Sequence, residues 1–121
     1  MVKALFDTNI LIDFLNGVDQ ARSELALYQD KAISIISWME VQIGTGAQDQ
    51  SAVDGFLSGF VVLPLDSAVS TRAVDLRKAN AVKLPDAVIW ATAQVHSRLL
   101  VTRNIKDFAA TLPGVRNPYV L

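Results

Sequence analysis

Four carboxylates stand where apolar stretches of this sequence give way to helix-like patterns. Asp7 closes the run Val2-Lys3-Ala4-Leu5-Phe6, and Glu40 ends Ser37-Trp38-Met39-Glu40 shortly after a second apolar stretch. Asp86 follows Leu84-Pro85 at the start of an Ala-rich segment, and Asp107 comes soon after Leu99 to Thr102. Carboxylates that converge without cations repel one another and resist ionisation, so such a set makes sense mainly around a divalent ion. Oxygen ligands without His or Cys select Mg²⁺ or Mn²⁺ over zinc. Each acid also has a purely structural reading. Asp7 could cap a helix, Glu40 could complete a Ser37-x-x-Glu40 capping box, Asp86 could sit favourably near a helix N-terminus, and Asp107 could be a loop acid. Asp13, Asp19, Glu24 and the remaining acids read as caps or solvated faces.

Patterning supplies the elements that must position these groups. Residues 2 to 6 read as a buried strand, followed by a helix with Ile10, Leu11, Phe14 and Leu15 at helical spacing and Thr8 or Asn9 as its cap. Ala21, Leu25 and Tyr28 mark a second helix, residues 31 to 36 a second strand, and Ser37 opens a helix that Gly44 and Gly46 stop. A helix over 48 to 57 and a strand over 60 to 63 follow. Asp66 or Ser67 then caps a long helix with Val69, Ala73, Leu76 and Asn80 on one face. The helix from Asp86 to about Ser97 is apolar nearly all round, hence buried, and Pro85 suits its first turn. Residues 99 to 102 form a fourth strand, 103 to 110 a loop or short helix, and 119 to 121 a short terminal strand. The alternation predicts one α/β domain over 1–121, a mostly parallel sheet flanked by helices. In such a sheet the carboxyl ends of the strands share the edge where ligands bind, which is where the acids fall.

The chain has 121 residues, 51% of them hydrophobic, with eleven basic and twelve acidic residues and a net charge of -1. That length buries a proper core, and the near-neutral balance means that any nucleic-acid contact must be local. There is no cysteine, which removes disulfides and thiolate zinc sites. Asp7 and Asp13 interrupt the first apolar stretch, so it is not read as a secretory signal, and no run approaches the roughly 20 apolar residues of a membrane span. A soluble cytoplasmic domain is expected. His96 lies about ten residues beyond Asp86, some ~15 Å along a helix axis, and reads as structural.

Asp7-Thr8-Asn9, Ser37-Trp38-Met39-Glu40-Val41, Leu84-Pro85-Asp86-Ala87 and Val101-Thr102-Arg103-Asn104-x-x-Asp107-Phe108, in this order and spacing, resemble the PIN-domain ribonucleases. The chain looks most like the single-domain toxin of VapBC toxin-antitoxin pairs. The resemblance covers essentially the whole chain and implies a three-layer α/β/α sandwich. It also implies a Mg²⁺ or Mn²⁺ site made by Asp7, Glu40, Asp86 and an acid of the last motif, and hydrolysis of RNA phosphodiester bonds. Asp7 and Asp86 are the expected metal ligands, with Glu40 or Asp107 orienting the attacking water or accepting its proton. Related nucleases can carry Asp where this chain has Asn104, leaving Asp107 as the only carboxylate of that motif; Asn104 could still bind metal weakly or through water. Thr8, Asn9 and Thr102 are expected to hydrogen-bond site carboxylates. Arg103 is the basic residue expected to meet phosphate, while Arg72, Arg77, Lys78 and Lys83 read as a solvated helix face. Expected partners are the RNA substrate, an antitoxin whose peptide covers the groove, and a second copy of the chain in a homodimer. Trp38 and Met39 read as core, with a partner-binding patch as the other reading. Two alternatives stay open: an aspartyl-phosphate phosphohydrolase with Asp7 as nucleophile, and a PIN-like binding module without turnover.

Overall fold

Three helices of this chain begin at side chains that accept from free N–H groups, those of Asp7, Ser34 and Asp66, and a fourth opens on a proline-containing first turn; these starts set the architecture. The computed structural model describes residues 1–121. In chain order the elements are β1 (Lys3–Phe6), α1 (Thr8–Leu15), α2 (Asp19–Leu25), β2 (Asp30–Ser34), α3 (Ile35–Ile43), a 3₁₀ turn (Ala47–Asp49), α4 (Gln50–Leu57), β3 (Val61–Leu63), α5 (Ser67–Ala79), α6 (Leu84–Val95), β4 (Leu99–Val101) and β5 (Val115–Arg116).

The boundaries depart from the patterning in informative places. Asp7 itself caps α1, its side chain accepting from the Thr8 N–H. The second strand stops at Ser34, whose hydroxyl accepts from Ile36 N at 3.1 Å and starts α3 three residues before Ser37. The expected Ser37-x-x-Glu40 capping box is therefore not formed; both residues lie inside the helix. Asn80 ends α5 as an exposed cap instead of lining its buried face. α6 starts at Leu84, with Pro85 in its first turn and Lys83 as the preceding cap residue. No strand forms over 119 to 121, and the edge partner of β4 is β5.

All strand pairings are parallel, and the order across the sheet is β3-β2-β1-β4-β5. The chain lays β2 and β3 on one side of β1, then crosses to place β4 and β5 on the other. This reversal leaves a crevice between the carboxyl ends of β1 and β4, the place where open parallel sheets bind ligands. Strand alternation divides the core. Leu5 and Leu100 point with Val69, Leu76, Ile89, Trp90 and Phe108 into one layer, and Ala4, Phe6 and Val101 with Ile10, Leu11, Leu25 and Val53 into the other. The helix-sheet-helix sandwich thus agrees with the expected three layers. Phe6 meets Tyr28 and Phe60 edge-on at 5.5 and 6.0 Å, and Trp90 meets Phe108 at 5.5 Å, so aromatic packing holds the strands against both layers.

The apolar face of α6 is buried from Ala87 to Ala93, as its composition requires. Trp38 and Met39 are on the surface, 37% and 41% exposed, which corrects their reading as core. No helix is long and apolar enough to cross a membrane.

Candidate metal centre

The end of β1 delivers Asp7 into the crevice. Its backbone N–H donates to Val101 O at 2.9 Å, continuing the β1–β4 ladder by one residue, so the carboxylate is anchored from both strands. The residue is only 4% exposed. Oδ1 accepts from Thr8 N at 2.8 Å, and Oδ2 accepts from Thr102 Oγ1 at 2.7 Å and Asn9 Nδ2 at 3.2 Å. Burial pushes the carboxyl up to about 6, opposed by the Thr102 and Thr8 hydrogen bonds and reinforced by the charges of Asp86 and Glu40. Acids separated by most of the chain therefore feel one another across a single rim.

Asn9 and Thr102 do more than cap. Asn9 Oδ1 accepts from Arg103 N at 3.1 Å while its amide donates to Asp7 and, at 3.3 Å, to Thr102 Oγ1. Thr102 is fully buried, and its hydroxyl also accepts from Asn104 N at 3.0 Å. These bonds splice the first and last motifs together.

Glu40 is exposed on α3, and one oxygen is held: Thr8 Oγ1 lies 2.7 Å from Glu40 Oε1 and 2.8 Å from the Oγ of Ser37, which is fully buried. A carboxylate only accepts and Thr8 has one hydroxyl proton, so Thr8 donates to Glu40 and Ser37 donates to Thr8. Ser37, read from the sequence only as a cap, is a support for Glu40 instead.

Asp86 sits half-buried in the first turn of α6. Its carboxyl is raised by burial and then by the charges of Asp107 and Glu40, with Lys83 acting in the opposite sense. In the last motif, Asn104 Nδ2 donates to Asp107 Oδ2 at 3.0 Å and Asp107 N donates back to Asn104 Oδ1 at 3.2 Å. Asn104 closes a turn and aims Asp107, with its own amide oxygen already engaged.

Asp7, Glu40, Asp86 and Asp107 thus share one rim, but no three of them already stand in a cage around one point. A divalent ion that keeps several of its waters would need only one or two of these carboxylates. Asp7 and Asp86 are the pair whose raised carboxyls a cation would relieve most.

Arg103 does not point at the rim. Its Nε and Nη2 donate to Asp13 Oδ2 and Oδ1 at 2.7 and 3.0 Å, and Tyr119 OH donates to the same Oδ2 at 2.8 Å. The guanidinium expected to meet phosphate is held by a buried carboxylate. Asp13 and Glu24, taken as solvated, are 5% exposed, and Glu24 receives Arg116 and Tyr28. Their placement carried a signal. Asp13 falls three residues after Ile10 and Glu24 four before Tyr28, on the buried stripes of α1 and α2, where an acid demands a partner. His96 caps the far end of α6, away from the acids.

The PIN-domain family model matches residues 4–111. The chain belongs to the PIN-domain family. It is 33% identical over 112 residues to ribonuclease VapC10 of Mycobacterium tuberculosis, covering 86% of this chain and 84% of that protein, so it falls within the VapC group of PIN proteins. The toxin-antitoxin complex from Klebsiella pneumoniae contains a chain 45% identical to it, with a TM-score of 0.92 over 98% of this chain and 100% of that one. The DNA-bound VapBC of Salmonella typhimurium contains one at 26% identity, with a TM-score of 0.80 over 96% of each chain.

Proposed function

We propose that this PIN protein is the toxin of a type II toxin-antitoxin pair, a cytoplasmic endoribonuclease dependent on Mg²⁺ or Mn²⁺. The observation that carries the reading is the meeting of Asp7, Glu40, Asp86 and Asp107 at the β1/β4 switch point, with Asp7 so buried that its carboxyl rises to about 6. A fold tolerates such a cluster when a cation balances it. The name of the VapC10 relative and the toxin-antitoxin complexes of the solved relatives support the same conclusion.

Asp7 and Asp86 would hold the ion, which supplies charge neutralisation and polarisation of the scissile phosphate. Thr102, Asn9 and the Thr8 N–H fix the Asp7 carboxylate so that it does not have to reorganise when the substrate arrives. Glu40, presented by Thr8 and Ser37 with its other oxygen free, accepts the proton of the attacking water. One P–O bond forms to that water and one P–O ester bond breaks, the leaving oxygen taking a proton from solvent water to end as a hydroxyl while Glu40 returns its proton to solvent. Asp107, held by Asn104, completes the negative rim opposite Asp86. The phosphohydrolase alternative lacks an acid-base partner, because position 9 is Asn and its amide is committed to Asp7 and Thr102.

The antitoxin has a place to lie. Beside Glu40, a groove of about 350 Å³ runs between α1, α3 and α4, lined by Ile12, Leu15, Val41, Ala52 and Val53. An amphipathic segment seated there would lie against Glu40. Protein purified free of antitoxin should cut RNA with Mg²⁺ or Mn²⁺, stop with EDTA, and lose cutting in Asp7→Asn and in Asp86→Asn while remaining folded. Wild-type cutting by both variants would overturn the reading.

A further inference from the structure

The side chain of Arg103 is occupied, so the cations that could meet a polyanion must be sought elsewhere. Arg22, Arg98, Arg103 and Arg116 are paired with acids, Arg72 donates to Gln94 and Lys31 to the Tyr28 carbonyl. Lys3, Lys78, Lys83 and Lys106 are exposed and have no ion-pair partner. Of these, Lys78 and Lys83 stand together, lining one open groove of about 710 Å³ where the end of α5 turns into α6. Arg77 lines it too, anchored by a hydrogen bond to the Val82 carbonyl that closes the turn. No carboxylate lines this groove, whose apolar surface comes from Val74, Val82 and Leu84. In a protein of net charge -1, three cations within seven residues and without acidic partners are a local concentration of positive charge.

At Lys83 the groove comes within one helical turn of Asp86. Lys83 is the cap residue of α6, three positions before Asp86, and its charge reaches the Asp86 carboxyl. A chain with regularly spaced phosphates and flat apolar faces matches this surface: the lysines meet phosphates, and the exposed Val74 and Leu84 side chains offer contact to unstacked bases.

We propose that the groove at the α5–α6 turn is the track by which single-stranded RNA approaches the carboxylate rim, with Lys78 and Lys83 on its phosphates. This deepens the ribonuclease reading and rests on it for the identity of the strand. Neutralising one phosphate contact on a single strand changes the slope of log Kd against log salt by about 0.7. The Lys78→Gln, Lys83→Gln double variant keeps the aliphatic stems and should lower that slope by about 1.4 and raise Kd about tenfold at low salt.

The probe is a fluorescein-labelled oligouridylate, read by anisotropy in EDTA, where no turnover is needed. Lys3→Gln, at the opposite end of β1, is the control and should leave Kd and slope at wild-type values. Equal weakening by Lys3→Gln, an unchanged slope in the double variant, or displacement of the RNA by an oligoglutamate of the same charge as readily as by unlabelled RNA would each overturn the proposal. The two readings fail separately. Groove-dependent binding by a protein that never cuts RNA would retire the nuclease and keep the groove, whereas undiminished kcat/KM for RNA in the double variant would keep the nuclease and retire the groove.

Discussion

Replacing Asp7 by Asn should make the metal-free protein more stable at neutral pH while abolishing its cutting of RNA. The carboxyl is raised from an ordinary 3.8 to about 6, slightly over two pH units, and each unit corresponds to ~1.4 kcal/mol. The folded chain holds this proton more tightly than the unfolded chain does. Below the unfolded value both states are protonated and the contribution to stability is fully present. As pH rises through the folded value that contribution is lost, reaching on the order of 3 kcal/mol at neutrality. Asn keeps an oxygen for the Thr8 N–H without carrying the charge. Urea unfolding in EDTA of both proteins, at about pH 4.5 and about pH 7.5, isolates this residue from groups of opposite sign such as Glu24, whose carboxyl Arg116 holds below its ordinary value. The variant's advantage should grow by about 2 kcal/mol between the two conditions. Mn²⁺ should then restore the wild type and leave Asp7→Asn unmoved. A stability gap that does not change with pH would refute the argument that Asp7 is a buried charge awaiting a cation.

Ser37→Ala removes the hydroxyl behind Thr8 and should lower the kcat for RNA cleavage about tenfold, the equivalent of roughly one hydrogen bond, measured under saturating RNA. Asn104→Asp replaces the amide that holds Asp107 with a second carboxylate at a 3.0 Å contact; it should lower the thermal midpoint in EDTA and raise the stabilisation gained from Mn²⁺, both read by calorimetry. Asp13→Ala strands Arg103 and the Tyr119 hydroxyl. With the Arg103 side chain 34% exposed, the loss should fall below that of a fully buried pair, about 2 kcal/mol by urea unfolding.

The strand-to-helix junctions were legible because apolar runs stop at Asp7 and shortly before Glu40 and give way to helical spacing. The meeting of the acids followed from parallel topology alone, since parallel strands end on one edge. What escaped was side-chain competition for hydroxyls and guanidinium groups. Ser34 and Ser37 are equally plausible caps by type, and only packing of α3 against Thr8 decides that Ser34 caps while Ser37 turns inward. Arg103 lies between two motif residues, so adjacency suggested the rim; its partner Asp13 is 90 positions away, beyond the reach of local pattern. The exposure of Trp38 and Met39 was likewise open, because a short amphipathic helix does not reveal how wide its buried stripe is.

The clasp between Asp7 and Thr102 spans 95 positions, joining the first strand to the fourth. During translation a ribosome would therefore be attached to a chain that already carries Asp7, Glu40 and Asp86 but lacks the hydroxyl that fixes the first of them and the turn that bears Asp107. Such a nascent chain is unarmed: Asp7 waits, solvated and unheld, until Thr102 has been made.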